Sequence, residues 1–191
     1  MKKLTKKNLD ELALIMPIIS EDKQRDFVGG MDKTSIRING GYLYSYDYGN
    51  SLGRFTVFQP DNGSDPIVFD GVTCTTSWTA PDGAPYQFSG TIHVGDNPET
   101  SFDIGTLIHE YGHFLQQIDL AIAGFNYFGP EGAVLGYYLG YGIGVGGGSL
   151  YGRLNPDVDY YEIPTEKDAS ERGQAYLDKY YPHCGYKANG L

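Results

Sequence analysis

The sequence predicts an α+β fold in which a small antiparallel sheet comes first and helices follow. Three observations predict it. Between residues 36 and 94, short runs of alternating aromatic and β-branched residues are cut by clusters of Gly, Asn, Asp and Pro, the period-two pattern of half-buried strands joined by tight turns. At Asn97-Pro98 the period changes, and Leu107, Ile108, Leu115, Ile118 and Ile122 recur at helical spacing. After Pro164 a second helical pattern places Ala169, Gly173 and Tyr176 along one face.

Taken in order, the β-like runs are residues 42–46, 54–59, 66–70, 73–79 and 88–94, so four or five strands fit. Asn97 is a good N-cap and Pro98 a preferred first helical residue, which predicts a helix ending near Gly124. The last helix is expected to start with Thr165 as N-cap and Asp168 three residues on. Between the helices, residues 133–150 carry no charge, yet seven of these eighteen are Gly. Glycine weakens a helix and removes apolar contact area, so this stretch is expected to be buried or to cover the surface, and stable membrane insertion is not expected.

The 191 residues suffice for one compact domain with a hydrophobic core. Acidic residues number 24 against 14 basic, a net charge of −10; such a field repels phosphate backbones and excludes nucleic acid as a partner. The 17 Tyr and 27 Gly suit the wet, loop-rich surface of an exported bacterial protein. Cys74 and Cys184 stand alone, which excludes a cysteine zinc knuckle and leaves either one long-range disulfide or two thiols.

The first thirty residues differ from the rest, holding six of the basic residues and an apolar run from Leu12 to Ile19 that is too short to span a bilayer. Asp10, Glu11 and Pro17 make it a poor secretory signal. The segment ends in Gly29-Gly30, with apolar Ile19 and Phe27 upstream, and so resembles the double-glycine leaders that a peptidase-containing ABC exporter cleaves after the glycine pair. The resemblance implies a leader at residues 1–30 and a single mature domain at 31–191, exported to the periplasm or the cell exterior after cleavage following Gly30.

The sharpest chemical feature lies on the first helix, where His109, Glu110 and His113 form an HExxH. At about 100° per residue, positions four apart differ by only some 40°, so both imidazoles leave one face and can meet one metal ion. Glu110 is one step round the helix, within reach of the water such an ion carries. A metzincin arrangement is excluded, because Gln116 and Asp119 stand where that clan has Gly and its third ligand, and no Met follows Met31.

A third ligand must then come from elsewhere. The stretch around Glu166-x-x-Ala169 resembles the gluzincin-type metallopeptidases, whose third zinc ligand is the Glu of such a helix, with Ala allowing close approach to the HExxH helix. The likeness is to small zinc peptidases of Bacteroidetes, in which an HEYGHxxQ helix is followed by an apolar Gly-rich stretch and a Glu-x-x-Ala helix. It spans residues 106–117 and 160–180, and Ser170 stands where that family carries Asp or Asn.

The resemblance implies a Zn²⁺ held by His109, His113 and Glu166, with Glu110 as general base for peptide hydrolysis and a peptide or protein as substrate. Glu162 is the next candidate ligand. His93, His183, Tyr160 and Tyr161 are open alternatives for a hydrogen-bond donor to the transition state, the two histidines being more often structural. A different reading of the same residues is a non-catalytic exported effector or binding protein whose metal site is structural.

Overall fold

In the computed structural model, residues 32–48, 53–76, 86–88, 90–142 and 148–191 are described. The leader predicted at residues 1–30 lies outside them. The architecture is mixed α and β, as the hydrophobic periods predict.

Four strands, β1 (Asp32–Ile38), β2 (Gly41–Asp47), β3 (Arg54–Pro60) and β4 (Ile67–Asp70), form an antiparallel meander in that order. Alternation sets the faces: Leu43, Phe58, Ile67 and Phe69 point inward and are fully buried. Of these, β1 is the strand the periodicity missed, because its sequence DKTSIRI is polar over its first four residues, as an edge strand allows. A second sheet of three short strands has the order β5 (Thr73–Thr75), β7 (Thr91–His93), β6 (Tyr86–Phe88), with β5 and β7 parallel. A buried polar relay joins the two sheets: the amide of Cys74 donates to Ser45 Oγ at 2.7 Å, and Thr56 Oγ1, 2.8 Å from that hydroxyl, donates to the Val72 carbonyl at 3.0 Å. Both cysteines are free thiols. Burial pushes that of Cys74 up to about 12.

The helical half begins differently from the expectation at Asn97. Pro98–Ser101 is a separate four-residue turn, α1, after which Phe102 is extended. The long helix α2 (Ile104–Tyr141) starts anew with Asp103 as its cap, its carboxylate accepting from the amide of Thr106 at 2.8 Å. The Asn39 amide donates to the Phe102 carbonyl at 2.9 Å, which ties this start to the sheet. Nor does the helix end at Gly124. It runs to Phe128, reverses at Gly129 (φ 70°) and continues from Pro130, so α2 is a pair of helices in a hairpin. Two shorter elements, α3 (Gly148–Leu154) and a 3₁₀ turn at Tyr160–Glu162, lead to α4 (Pro164–Tyr180). The cap of α4 is Ile163 rather than Thr165, because Pro164 takes the first helical position.

The core lies between the sheets and the first turns of α2, where Leu107, Ile108, Tyr111 and Phe114 join Phe58, Phe69 and Ile92, with Leu177 of α4 closing it. Helices α2 and α4 cross in backbone contact. A Cβ on Gly112 would strike the carbonyl oxygen of Ala169, and one on Gly173 would strike that of Ile108. Two glycines and one alanine thus bring the helices closer than ordinary side chains permit.

Candidate metal centre

The crossing fixes the site. His109 and His113, four apart on α2, face Glu166, which lies one turn before Ala169 on α4, and all three are buried. One ligand atom from each lies within 4.8 Å of the others. Glu166 Oε2 is 3.0 Å from His113 Nε2 and 3.3 Å from His109 Nε2, yet His109 Nε2 makes no hydrogen bond and is sealed from solvent. A buried nitrogen without a partner is costly unless something else fills that role.

The outer nitrogens of the two rings settle the tautomers. Ser170 Oγ donates to the Asn189 carbonyl at 2.6 Å, so it must accept the proton of His109 Nδ1 at 2.8 Å. Gln116 Nε2 donates to the Thr165 carbonyl at 2.9 Å and to Asp168 Oδ2 at 2.7 Å, so its Oε1 accepts from His113 Nδ1 at 2.9 Å. With a proton fixed on each Nδ1, it is Nε2 of both rings that faces inward: that of His109 has no hydrogen bond, and that of His113 donates to Glu166 and becomes a lone-pair donor once this proton leaves. Together with a carboxylate oxygen, the two nitrogens are a three-donor set suited to a metal ion.

Charge follows the same geometry. Burial pushes the pKa of Glu166 up, but the two imidazoles and the hydroxyl of Tyr160 outweigh it and bring the group down to about 2. Burial lowers that of His113, but its bond to Glu166 and the charge of Glu110 raise it to about 9. Glu110, 5% exposed, is raised chiefly by burial and then by Glu166, against the two histidines. A carboxyl held above its usual range is suited to taking and returning a proton.

The structure separates the remaining candidates. Tyr160 and Tyr161 both stand against the His109 ring, at 6.1 Å and 5.3 Å between ring centres, and burial, followed by the charge of Glu166, raises the pKa of the Tyr160 hydroxyl. Glu162 is exposed and pairs with Lys167 at 3.4 Å, outside the cluster. Asp168 faces Gln116 and Arg172. His93 sits on β7 and His183 beyond the C-terminal end of α4; neither joins the group. Sequence reasoning missed Gln116 and the strap of residues 188–190. In that strap, Asn189 bonds Thr106 Oγ1 at 2.9 Å as well as receiving Ser170.

No protein-family model, no curated protein and no solved structure matches the chain.

Proposed function

We propose that the protein is an exported zinc metallopeptidase acting on peptides or proteins. The observation that carries this reading is the inward-facing, unpartnered Nε2 of His109, grouped with His113 and Glu166 and flanked by the buried Glu110. Two imidazoles and one carboxylate are the donor set of a hydrolytic zinc site that keeps one position open. A zinc ion held there supplies Lewis acidity and a water of lowered pKa.

The chain's own residues do the rest. Glu110 accepts a proton from the attacking water and returns it to the departing nitrogen. Tyr160, whose ring stands 6.1 Å from that of His109, would donate through its hydroxyl to the carbonyl oxygen as charge develops on it. Ser170 and Gln116 keep the imidazoles in the ligating tautomer. Export follows on this reading from the Gly29-Gly30 pair, recognised by a peptidase-containing ABC exporter, and an intact mass beginning at Met31 in the exported protein tests it.

The deciding experiment measures zinc content and cleavage of a mixed peptide library by the purified protein and by Glu110→Gln. Expected are one zinc in each and a loss of about 10² to 10⁴ in turnover for the variant. A zinc-loaded wild type that cleaves no peptide would refute the enzymatic reading.

A further inference from the structure

The α2 hairpin is packed inside out. Its two limbs, residues 104–128 and 130–141, touch through small residues: a Cβ on Gly124 would strike the Gly132 carbonyl, one on Gly136 that of Leu120, and one on Gly140 would lie 2.9 Å from Gln117 Cα. With glycine filling the contact, the large side chains go outward. Val134, Leu135, Tyr138 and Leu139 are each more than half exposed, and at the hairpin tip Tyr127 is 82% and Phe128 75% exposed. At about 100° per residue the first four cover an arc of roughly 140° on the second limb. Six such side chains present on the order of several hundred Å² of apolar surface, at the upper end of what a soluble monomer leaves uncovered. Helix pairs held by glycine contact with apolar exteriors are the arrangement favoured where the surroundings are themselves apolar.

We propose that this hairpin seats the protein on a lipid bilayer, lying in the interfacial plane of a zwitterionic surface. Among the described residues no helix is long and apolar enough to cross a membrane, so the association is with one leaflet. The tip fits that depth: Tyr127 and Phe128 are suited to the headgroup boundary, and the adjacent Asn126 and Glu131 stay in its polar layer.

Charge selects the occupant. From Leu120 to Gly152 the chain has no Lys or Arg and one acidic residue, Glu131. Anionic lipid therefore finds nothing to attract it, and the net charge of −10 repels it. The same charge opposes a second copy of the chain at this face, whereas neutral headgroups meet no such field. The glycines that argue against a spanning helix in the sequence are the residues that turn the apolar side chains outward.

Flotation of the full-length protein with phosphatidylcholine vesicles tests this, with and without a chelator, because the proposal rests on the fold and not on the metal centre. The wild type is expected to float in both conditions, equally at high salt, and less when anionic lipid is added. The double variant Leu135→Glu/Leu139→Glu should lose at least tenfold in partitioning while keeping its unfolding midpoint and zinc content, and Tyr127→Ser/Phe128→Ser should lose in the same direction. Absence of the wild type from the vesicle fraction would overturn the proposal, as would flotation of both double variants equal to that of the wild type. A stable dimer by light scattering that does not float, and that Leu135→Glu/Leu139→Glu dissociates, would assign the face to a second copy instead.

Discussion

Ser170→Ala removes one oxygen and should damage both the fold and metal binding. His109 is 2% exposed and Ser170 1%, so deleting Oγ leaves the His109 Nδ1 proton and the Asn189 carbonyl without their shared partner in a buried place. An unsatisfied buried group destabilises by about 1–3 kcal/mol. In a chain of this length each kcal/mol lowers the unfolding midpoint by roughly 2–4 °C. The imidazole also loses the acceptor that selects its tautomer, and removal of such a partner weakens metal binding by about 10- to 100-fold, or roughly 1.4–2.8 kcal/mol. Competition titration against a chromophoric chelator measures the affinity, and thermal denaturation of the metal-free protein measures the fold. Gln116→Ala should weaken zinc to a similar degree with a smaller loss of stability, because Gln116 is only half-buried and water can take its place. Unchanged affinity and unchanged midpoint in Ser170→Ala would refute the argument that this hydroxyl orients His109.

Glu166→Ala should lose zinc on mild chelation while Glu162→Ala keeps it; equal occupancy by elemental analysis would remove Glu166 from the ligand set. Tyr160→Phe should lower kcat with KM and zinc content nearly unchanged, and Tyr161→Phe should leave kcat nearly unchanged, since Tyr161 meets the site through its ring, edge-on to His109; the opposite split would exchange their roles. The metal-free protein should lose stability on both sides of neutrality. His113 lies at about 9 folded against an ordinary 6.5, so its contribution is complete below 6.5 and lost as pH rises through 9. Glu166 lies at about 2 against 4.5, so its contribution is lost as pH falls from 4.5 toward 2. Zinc held by His113 Nε2 would have to replace the imidazolium proton, so its affinity should instead rise between pH 6.5 and 9; a flat melting profile in chelator would contradict the pairing of His113 with Glu166.

The strands with alternating apolar residues were legible because burial on one face imposes a period of two, and Phe58, Phe69 and Ile92 obey it. The edge strand β1 was not, because it presents few apolar residues to the core and owes its pairing to the register of β2, from Asp32 opposite Asp47 to Ile38 opposite Gly41. The helix boundaries shifted for similar reasons. A capping residue is a local preference, and Asn97-Pro98 made only a turn once the bond from Asn39 to Phe102 drew the chain onto the sheet.

At the metal centre the same division holds. His109, Glu110 and His113 were readable because one helix sets their relative positions, and Glu166 was reachable from sequence only through a resemblance, since nothing local places α4 against α2. The structure supplies a physical basis for that placement in small residues. Gly112 within HExxH, Ala169 three residues after Glu166 and Gly173 four residues further form the crossing, so the spacing Glu-x-x-Ala-x-x-x-Gly is a docking surface with a ligand at one end. Ser170 follows from the same geometry. It sits one residue past the closest contact, where the helices are too near for water, and a hydroxyl backed by the Asn189 carbonyl meets His109 at 2.8 Å. A carboxylate could accept the same proton but could not donate to that carbonyl. The C-terminal strap therefore makes a hydroxyl, which accepts from one side and donates to the other, a fitting group at this position.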